Sequence, residues 1–176
     1  MKTLADLVQI KEKTLPSIAL RRDKIEGVDT GAVKRNIMVC GGTGCTSSHS
    51  AEIIEEFNAE IKANGLDGQV KVIRTGCFGL CELGPIVIVY PEGAFYSQVK
   101  ASDVKRIVDK HIIEGNIVKD LLFQETVLED GSIKDLEHTQ FYSKQKRTAL
   151  RNCGNIDPEN IDEYIATDGY MALAKV

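Results

Sequence analysis

Four cysteines in two tight pairs, Cys40-x4-Cys45 and Cys77-x3-Cys81, hold the chemistry this sequence can do. Each pair sits among glycines: Gly41, Gly42 and Gly44 in the first stretch, Gly76, Gly79 and Gly84 around the second. Thiolates are soft, anionic and strongly donating. Four of them on two loops suit a tetrahedral sulfur site whose usual occupants are an iron–sulfur cluster or zinc. Iron would make the chain a carrier of single electrons, whereas zinc would make it a scaffold. Glycine lets the backbone approach the sulfurs and turn N–H groups toward them, which stabilises negative charge on a cluster. Zinc asks for the same donors, so spacing discriminates better. The plant-type ferredoxin pattern needs a third cysteine two residues past the first pair, where Ser48 stands. The bacterial run with two-residue gaps is absent, and zinc ribbons mostly use two-residue gaps that neither pair has. Spacing therefore favours a 2Fe–2S cluster over zinc, with unligated thiols or disulfides as the third reading.

The elements around the pairs must bring them together. Ile37-Met-Val39 reads as a short buried strand leading into Cys40. A helix is predicted from near Ser47 or Ser48, with Ile53, Ile54, Phe57 and Ile61 at helical spacing and Asn64-Gly65 as its stop. Val70 to Ile73 is a second strand, and the second cysteine loop follows it. Ile86 to Tyr90 is a continuous apolar run, as in a strand buried on both faces. Pro91-Glu-Gly93 turns the chain and Phe95 to Val99 returns as a hairpin partner. Ser102 then caps a helix with Val104, Ile107, Val108, His111 and Ile112 on one face, closed by Gly115. A β-α-β unit crosses over right-handed and yields a parallel pair. The hairpin adds two antiparallel strands. The predicted class is α/β: a thioredoxin-like four-stranded mixed sheet flanked by helices, with helical N- and C-terminal extensions. Both cysteine loops then leave the same end of the sheet.

The predicted organisation has four parts. Residues 1–35 form a helical extension, capped by Thr3, with Leu4, Leu7, Val8 and Lys11 on one face and Pro16 ending the helix. Residues 36–115 form the cysteine-bearing domain. Residues 116–148 read as a linker, with a turn at Glu129-Asp-Gly131. Residues 149–176 regain helical character, Asp157-Pro158 starting a helix whose buried face is Ile161, Tyr164 and Ile165.

Charge and composition narrow the function classes. A net charge of −4 over 176 residues, with one short basic run (Lys144, Lys146, Arg147, Arg151), argues against nucleic acid. No stretch approaches the roughly 20 apolar residues of a membrane span. Asp6, Lys11, Glu12 and Lys13 stand where a signal peptide needs an apolar core, so export is not expected. Five cysteines, four of them clustered, read as metal or redox chemistry in a reducing compartment, and a cytoplasmic location follows. Cys153 stands alone and reads as a bystander thiol. His49 reads as a polar residue in the first turn of a helix, His111 as a hydrogen-bonded helix-face residue, and His138 suggests nothing. Gly41-Gly-Thr-Gly44 lacks the Lys-Ser/Thr of a phosphate loop. The first pair is too widely spaced for thioredoxin-type disulfide exchange, which wants Cys-x-x-Cys. Pro85 occupies the place where thioredoxin folds often carry a cis proline.

Cys-x4-Cys, about thirty residues, then Cys-x3-Cys on this order of elements resembles the thioredoxin-like 2Fe–2S ferredoxins. Thr75-Gly-Cys-Phe-Gly-Leu-Cys-Glu-Leu-Gly-Pro85 looks like their second ligand loop, and the likeness covers about residues 34–115. It implies Cys40, Cys45, Cys77 and Cys81 as cluster ligands and no catalytic residue. Downstream, the stretch from Leu150-Arg-Asn-Cys-Gly-Asn-Ile-Asp-Pro to Met171-Ala-Leu-Ala-Lys175 resembles the opening of the NADH-binding flavoprotein subunit. That family includes the complex I subunit and its relatives in multimeric, often electron-bifurcating, iron-only hydrogenases. The resemblance implies a ferredoxin domain fused ahead of a truncated flavoprotein start. FMN, NAD and 4Fe–4S centres would belong to a downstream domain that this sequence lacks. One-electron transfer within a hydrogenase or NADH dehydrogenase assembly is the function implied, its other subunits or a second copy of the chain being the partners. By itself the chain would not catalyse NADH oxidation. A zinc-stabilised adaptor without redox activity is the alternative.

Overall fold

The structure is a computed structural model that describes residues 3–22 and 31–176, so residues 23–30 of the expected N-terminal extension lie outside the described residues. Four strands, β1 (Arg35–Cys40), β2 (Val70–Thr75), β3 (Val87–Tyr90) and β4 (Ala94–Tyr96), form one sheet in the order β2-β1-β3-β4. β1 and β2 run parallel, with Cys40 opposite Thr75; β3 is antiparallel to both β1 and β4. This is the mixed sheet expected from the pattern, and the chain is α/β.

Side chains alternate across a strand, so each strand feeds two half-cores. Ile37, Val39, Val87 and Val89 face one side, where they meet Ile53, Phe57 and Ile61 of α3 (Ser50–Ala63) and Val104 and Ile107 of α4 (Ala101–Ile107). Met38, Cys40, Ile86 and Ile88 face the other side and pack with Cys45, Ile73, Phe78 and Phe95. The chain after α4 widens into a π turn over Val108–Ile113 and ends at Gly115, whose φ of 77° needs no Cβ. Asp103, rather than Ser102, caps the start of α4, accepting from the Lys100 N–H at 3.0 Å.

The extensions depart from expectation in instructive ways. α1 (Leu4–Arg22) starts at a box in which Thr3 and Asp6 satisfy each other's N–H groups, but it runs straight through Pro16. Proline costs a helix one hydrogen bond. Burial of Ile18, Ala19 and Arg21 against the C-terminal segment offsets that loss. Of the face foreseen for α1, Leu7 is buried while Leu4 and Val8 stay exposed. Residues 116–148 are irregular, yet they are laid across the sheet. Leu122 bridges Tyr96, and Val118, Leu122 and Tyr142 of the short helix α5 (Gln140–Ser143) are buried.

The last helix, α6 (Ile161–Ala166), begins three residues beyond the foreseen Pro158. Asp157 spends its side chain on a turn to Glu159, and Asn160 is the cap, accepting from the Asp162 N–H at 3.0 Å. Its buried face is Glu163, Ile165 and Ala166; Ile161 and Tyr164 are exposed. The reason is electrostatic. Arg21 of α1 grips both Glu163 oxygens at 2.8 and 2.9 Å and so turns that face inward. Among the described residues, no helix is long and apolar enough to cross a membrane.

Candidate metal centre

Register alone brings the two cysteine loops to one place. Cys40 ends β1 directly opposite Thr75, and the Gly41 N–H donates to the Thr75 carbonyl at 2.9 Å. From there the first loop coils into α2 (Thr43–Ser47), which carries Cys45. Cys40 and Cys45 are buried, while Cys77 and Cys81 are exposed; all are free thiols.

Glycine makes the close approach between the loops possible. A Cβ placed on Gly42 would lie 3.0 Å from Cys77 Sγ, and one on Gly84 would lie 2.7 Å from Cys45 Sγ. The Gly79 N–H donates to Cys77 Sγ at 3.2 Å. Gly79 itself has φ 80°, a conformation that glycine adopts without strain.

The thiols come in twos. Cys45 is pushed up to about 12, first by burial and then by the thiol of Cys40 beside it, with the Ile86 N–H pulling the other way. Cys81 is raised mainly by the charge of Cys77 next to it. Among the described residues, no three His, Cys, Asp or Glu side chains form a ready single-ion site. The residues nonetheless fit an iron–sulfur group: soft donors in two facing pairs, N–H groups on the sulfurs, and glycines wherever a Cβ would intrude.

The second loop is held from behind by residues that the sequence pattern did not mark. The Thr75 hydroxyl donates to the Ile156 carbonyl at 3.1 Å and accepts from the Gly154 N–H at 3.2 Å. Phe78, between the two cysteines, is buried, and its ring edge lies where a Cβ on Gly154 would be, at 2.4 Å. The Tyr142 hydroxyl donates to the Phe78 carbonyl. Burial pushes the Tyr142 phenol up to about 12, so it remains a donor across the ordinary pH range. Phe78 had a legible signal, an apolar residue in a glycine loop. Tyr142, Gly154 and Thr75 act across more than 60 residues of chain and had none.

The other residues singled out above fall elsewhere. His49 is exposed and bonds Glu52 through Nδ1 at 2.8 Å. His111 is fully buried, with Nδ1 on the Tyr96 hydroxyl at 2.8 Å. His138 is exposed on the segment after the sheet. Cys153 does not stand apart: its Sγ lies 3.3 Å from a Cβ position on Gly76. Arg147 leaves the solvated basic run, pairing with Glu137 at 2.6 Å and lying over the Tyr142 ring. The Gly84–Pro85 and Tyr90–Pro91 bonds are both cis.

Comparison with known proteins gives the same picture. The family described as thioredoxin-like [2Fe-2S] ferredoxin matches residues 1–111. A 2Fe-2S ferredoxin of Clostridium pasteurianum is 51% identical over 77 residues, covering 44% of this chain and 76% of that protein. The 2Fe-2S ferredoxin of Aquifex aeolicus is 39% identical over 79 residues, 44% of this chain and 71% of its own. The crystal structure of the wild-type thioredoxin-like [2Fe-2S] ferredoxin from Aquifex aeolicus superimposes with a TM-score of 0.48 at 33% identity, covering 52% of this chain and 97% of that one. A stretch of 33 residues is 70% identical to the NADP-reducing hydrogenase subunit HndC of Solidesulfovibrio fructosivorans, covering 19% of this chain but 7% of that subunit.

Proposed function

Because this chain belongs to the thioredoxin-like [2Fe–2S] ferredoxin family, we propose that it relays single electrons through a cluster ligated by Cys40, Cys45, Cys77 and Cys81, as part of an NADH-linked hydrogenase or NADH dehydrogenase assembly. Bound there, a 2Fe–2S cluster supplies reversible one-electron chemistry. The observation that supports the ligand assignment is the reciprocal contact of the two loops, Gly42 of the first against Cys77 and Gly84 of the second against Cys45. Thiols grouped in twos suit a two-iron cluster, in which each iron takes two protein ligands.

The chain's own residues do the rest. Cys40 and Cys45 would hold the group from its buried side, and the wall of Met38, Ile86 and Ile88 keeps water from that side. Cys77 and Cys81 stay on the surface, where a partner's redox centre can approach. The N–H groups of Gly79 and Ile86 favour the more negative, reduced state. The short likeness to a hydrogenase subunit supports such an assembly, and we read residues 149–176 as the part of the chain that joins it. The thiols, unpaired throughout, suit a reducing, cytoplasmic setting.

Metal and sulfide analysis of protein prepared without air, with EPR after reduction, tests the proposal. It expects brown protein with about two irons and two sulfides per chain and a reduced-state signal. Colourless protein holding stoichiometric zinc would replace it with the zinc-stabilised adaptor.

A further inference from the structure

We propose that Tyr142 raises the reduction potential of the centre by fixing the peptide unit whose N–H donates to Cys77. The inference rests on the ligand assignment just made and deepens it. Both polar groups of the Phe78–Gly79 peptide are engaged: its carbonyl accepts from the Tyr142 hydroxyl, and its N–H donates to Cys77 Sγ at 3.2 Å. A trans peptide is planar, so its C=O and N–H point opposite ways and can only turn together. Holding the carbonyl therefore aims the N–H at sulfur. An amide whose oxygen accepts a hydrogen bond is also polarised and becomes the stronger donor. Hydrogen bonds to the sulfurs are among the levers that set an iron–sulfur potential.

The peptide has little else to hold it. Cys77 and Gly79 are exposed, and nothing lies within 4 Å of a Cβ position on Gly79. The Phe78 side chain is the buried anchor on one side, and the Tyr142 hydroxyl is the grip on the carbonyl. Tyr142 lies beyond residues 1–111 that match the ferredoxin family, so this control comes from the segment laid over the ferredoxin core. Its ring is held independently of the hydroxyl. The Arg147 guanidinium sits 4.7 Å over it, and Phe141 meets it edge-on at 5.6 Å. Tyr142→Phe therefore removes the hydroxyl and leaves the packing.

The test is a potentiometric EPR titration of cluster-loaded parent, Tyr142→Phe and Phe141→Leu proteins, with resonance Raman spectra in H2O and D2O. Tyr142→Phe should shift the equilibrium about three- to tenfold toward the oxidised state, or about 30–60 mV at ~59 mV per tenfold for one electron. The deuterium shift of its Fe–S stretching bands should shrink, with iron content and melting temperature unchanged. Phe141→Leu keeps an apolar side chain beside the Tyr142 ring and leaves the hydroxyl and the Arg147 contact in place, so it should leave the potential alone. An unchanged potential in Tyr142→Phe overturns the inference. So does a lower potential with an unchanged deuterium shift, or an equal fall in Phe141→Leu. A parent protein without iron would instead remove the ligand assignment, and this inference with it.

Discussion

Gly84 is the residue at which the site has least room to vary. A methyl group there would stand 2.7 Å from Cys45 Sγ and 3.2 Å from the Cys81 carbonyl. Neither neighbour can swing away, because one is a buried sulfur and the other is backbone. Gly84→Ala should therefore lower iron occupancy by at least half and speed cluster loss to a chelator several-fold, measured by the decay of visible absorption. Unchanged retention would mean that the first and second loops do not press together around a shared group. The sequence showed such glycines because glycine beside cysteine is a local pattern. It did not show Thr75 or Tyr142, since a threonine ending a strand and a tyrosine in a polar stretch have many ordinary uses. Only the docking of Gly154 and Ile156 onto Thr75 reveals one use here.

At the level of elements, the strands, α3 and α4 were legible because period-2 and period-3.6 patterns fall on a single buried sheet. The extensions were not, because their partners are each other. α1 passes through Pro16 and α6 buries a glutamate for one shared reason, the Arg21–Glu163 pair, about 1% exposed on each side. Lys71 and the Asp157 N–H add to it, at 3.4 and 2.7 Å from the Glu163 oxygens. Breaking one side of a buried pair strands the other charge, which typically costs about 3–5 kcal/mol. Glu163→Gln should thus release α6 and the segment before it, seen as faster hydrogen exchange over residues 150–166 while the sheet stays protected. Acid should do the same. Burial alone would raise the Glu163 carboxyl, but Arg21 outweighs it and holds the group below its ordinary range. A depressed carboxyl contributes stability that is complete above its unfolded value of about 4.3 and drains away as pH falls through the folded value. The C-terminal segment should therefore loosen below about pH 4, and the Glu163→Gln protein should lack that added acid sensitivity. Equal acid sensitivity in the two proteins would place the weak point elsewhere.

For the molecule as a whole, the sheet acts as a bracket that sets two sulfur pairs at one end, with a long C-terminal stretch braced behind the second pair. That bracing puts the ferredoxin core and the C-terminal stretch in contact at the second cysteine loop. The measurement that reaches the central claim most directly is the iron and acid-labile sulfide content of anaerobically prepared parent and single Cys→Ser proteins. The expected result is about two irons and two sulfides per chain in the parent and in Cys153→Ser, with loss or marked instability of the cluster in each of Cys40→Ser, Cys45→Ser, Cys77→Ser and Cys81→Ser. A cluster that survives intact in any of those four, or that disappears in Cys153→Ser, would contradict it.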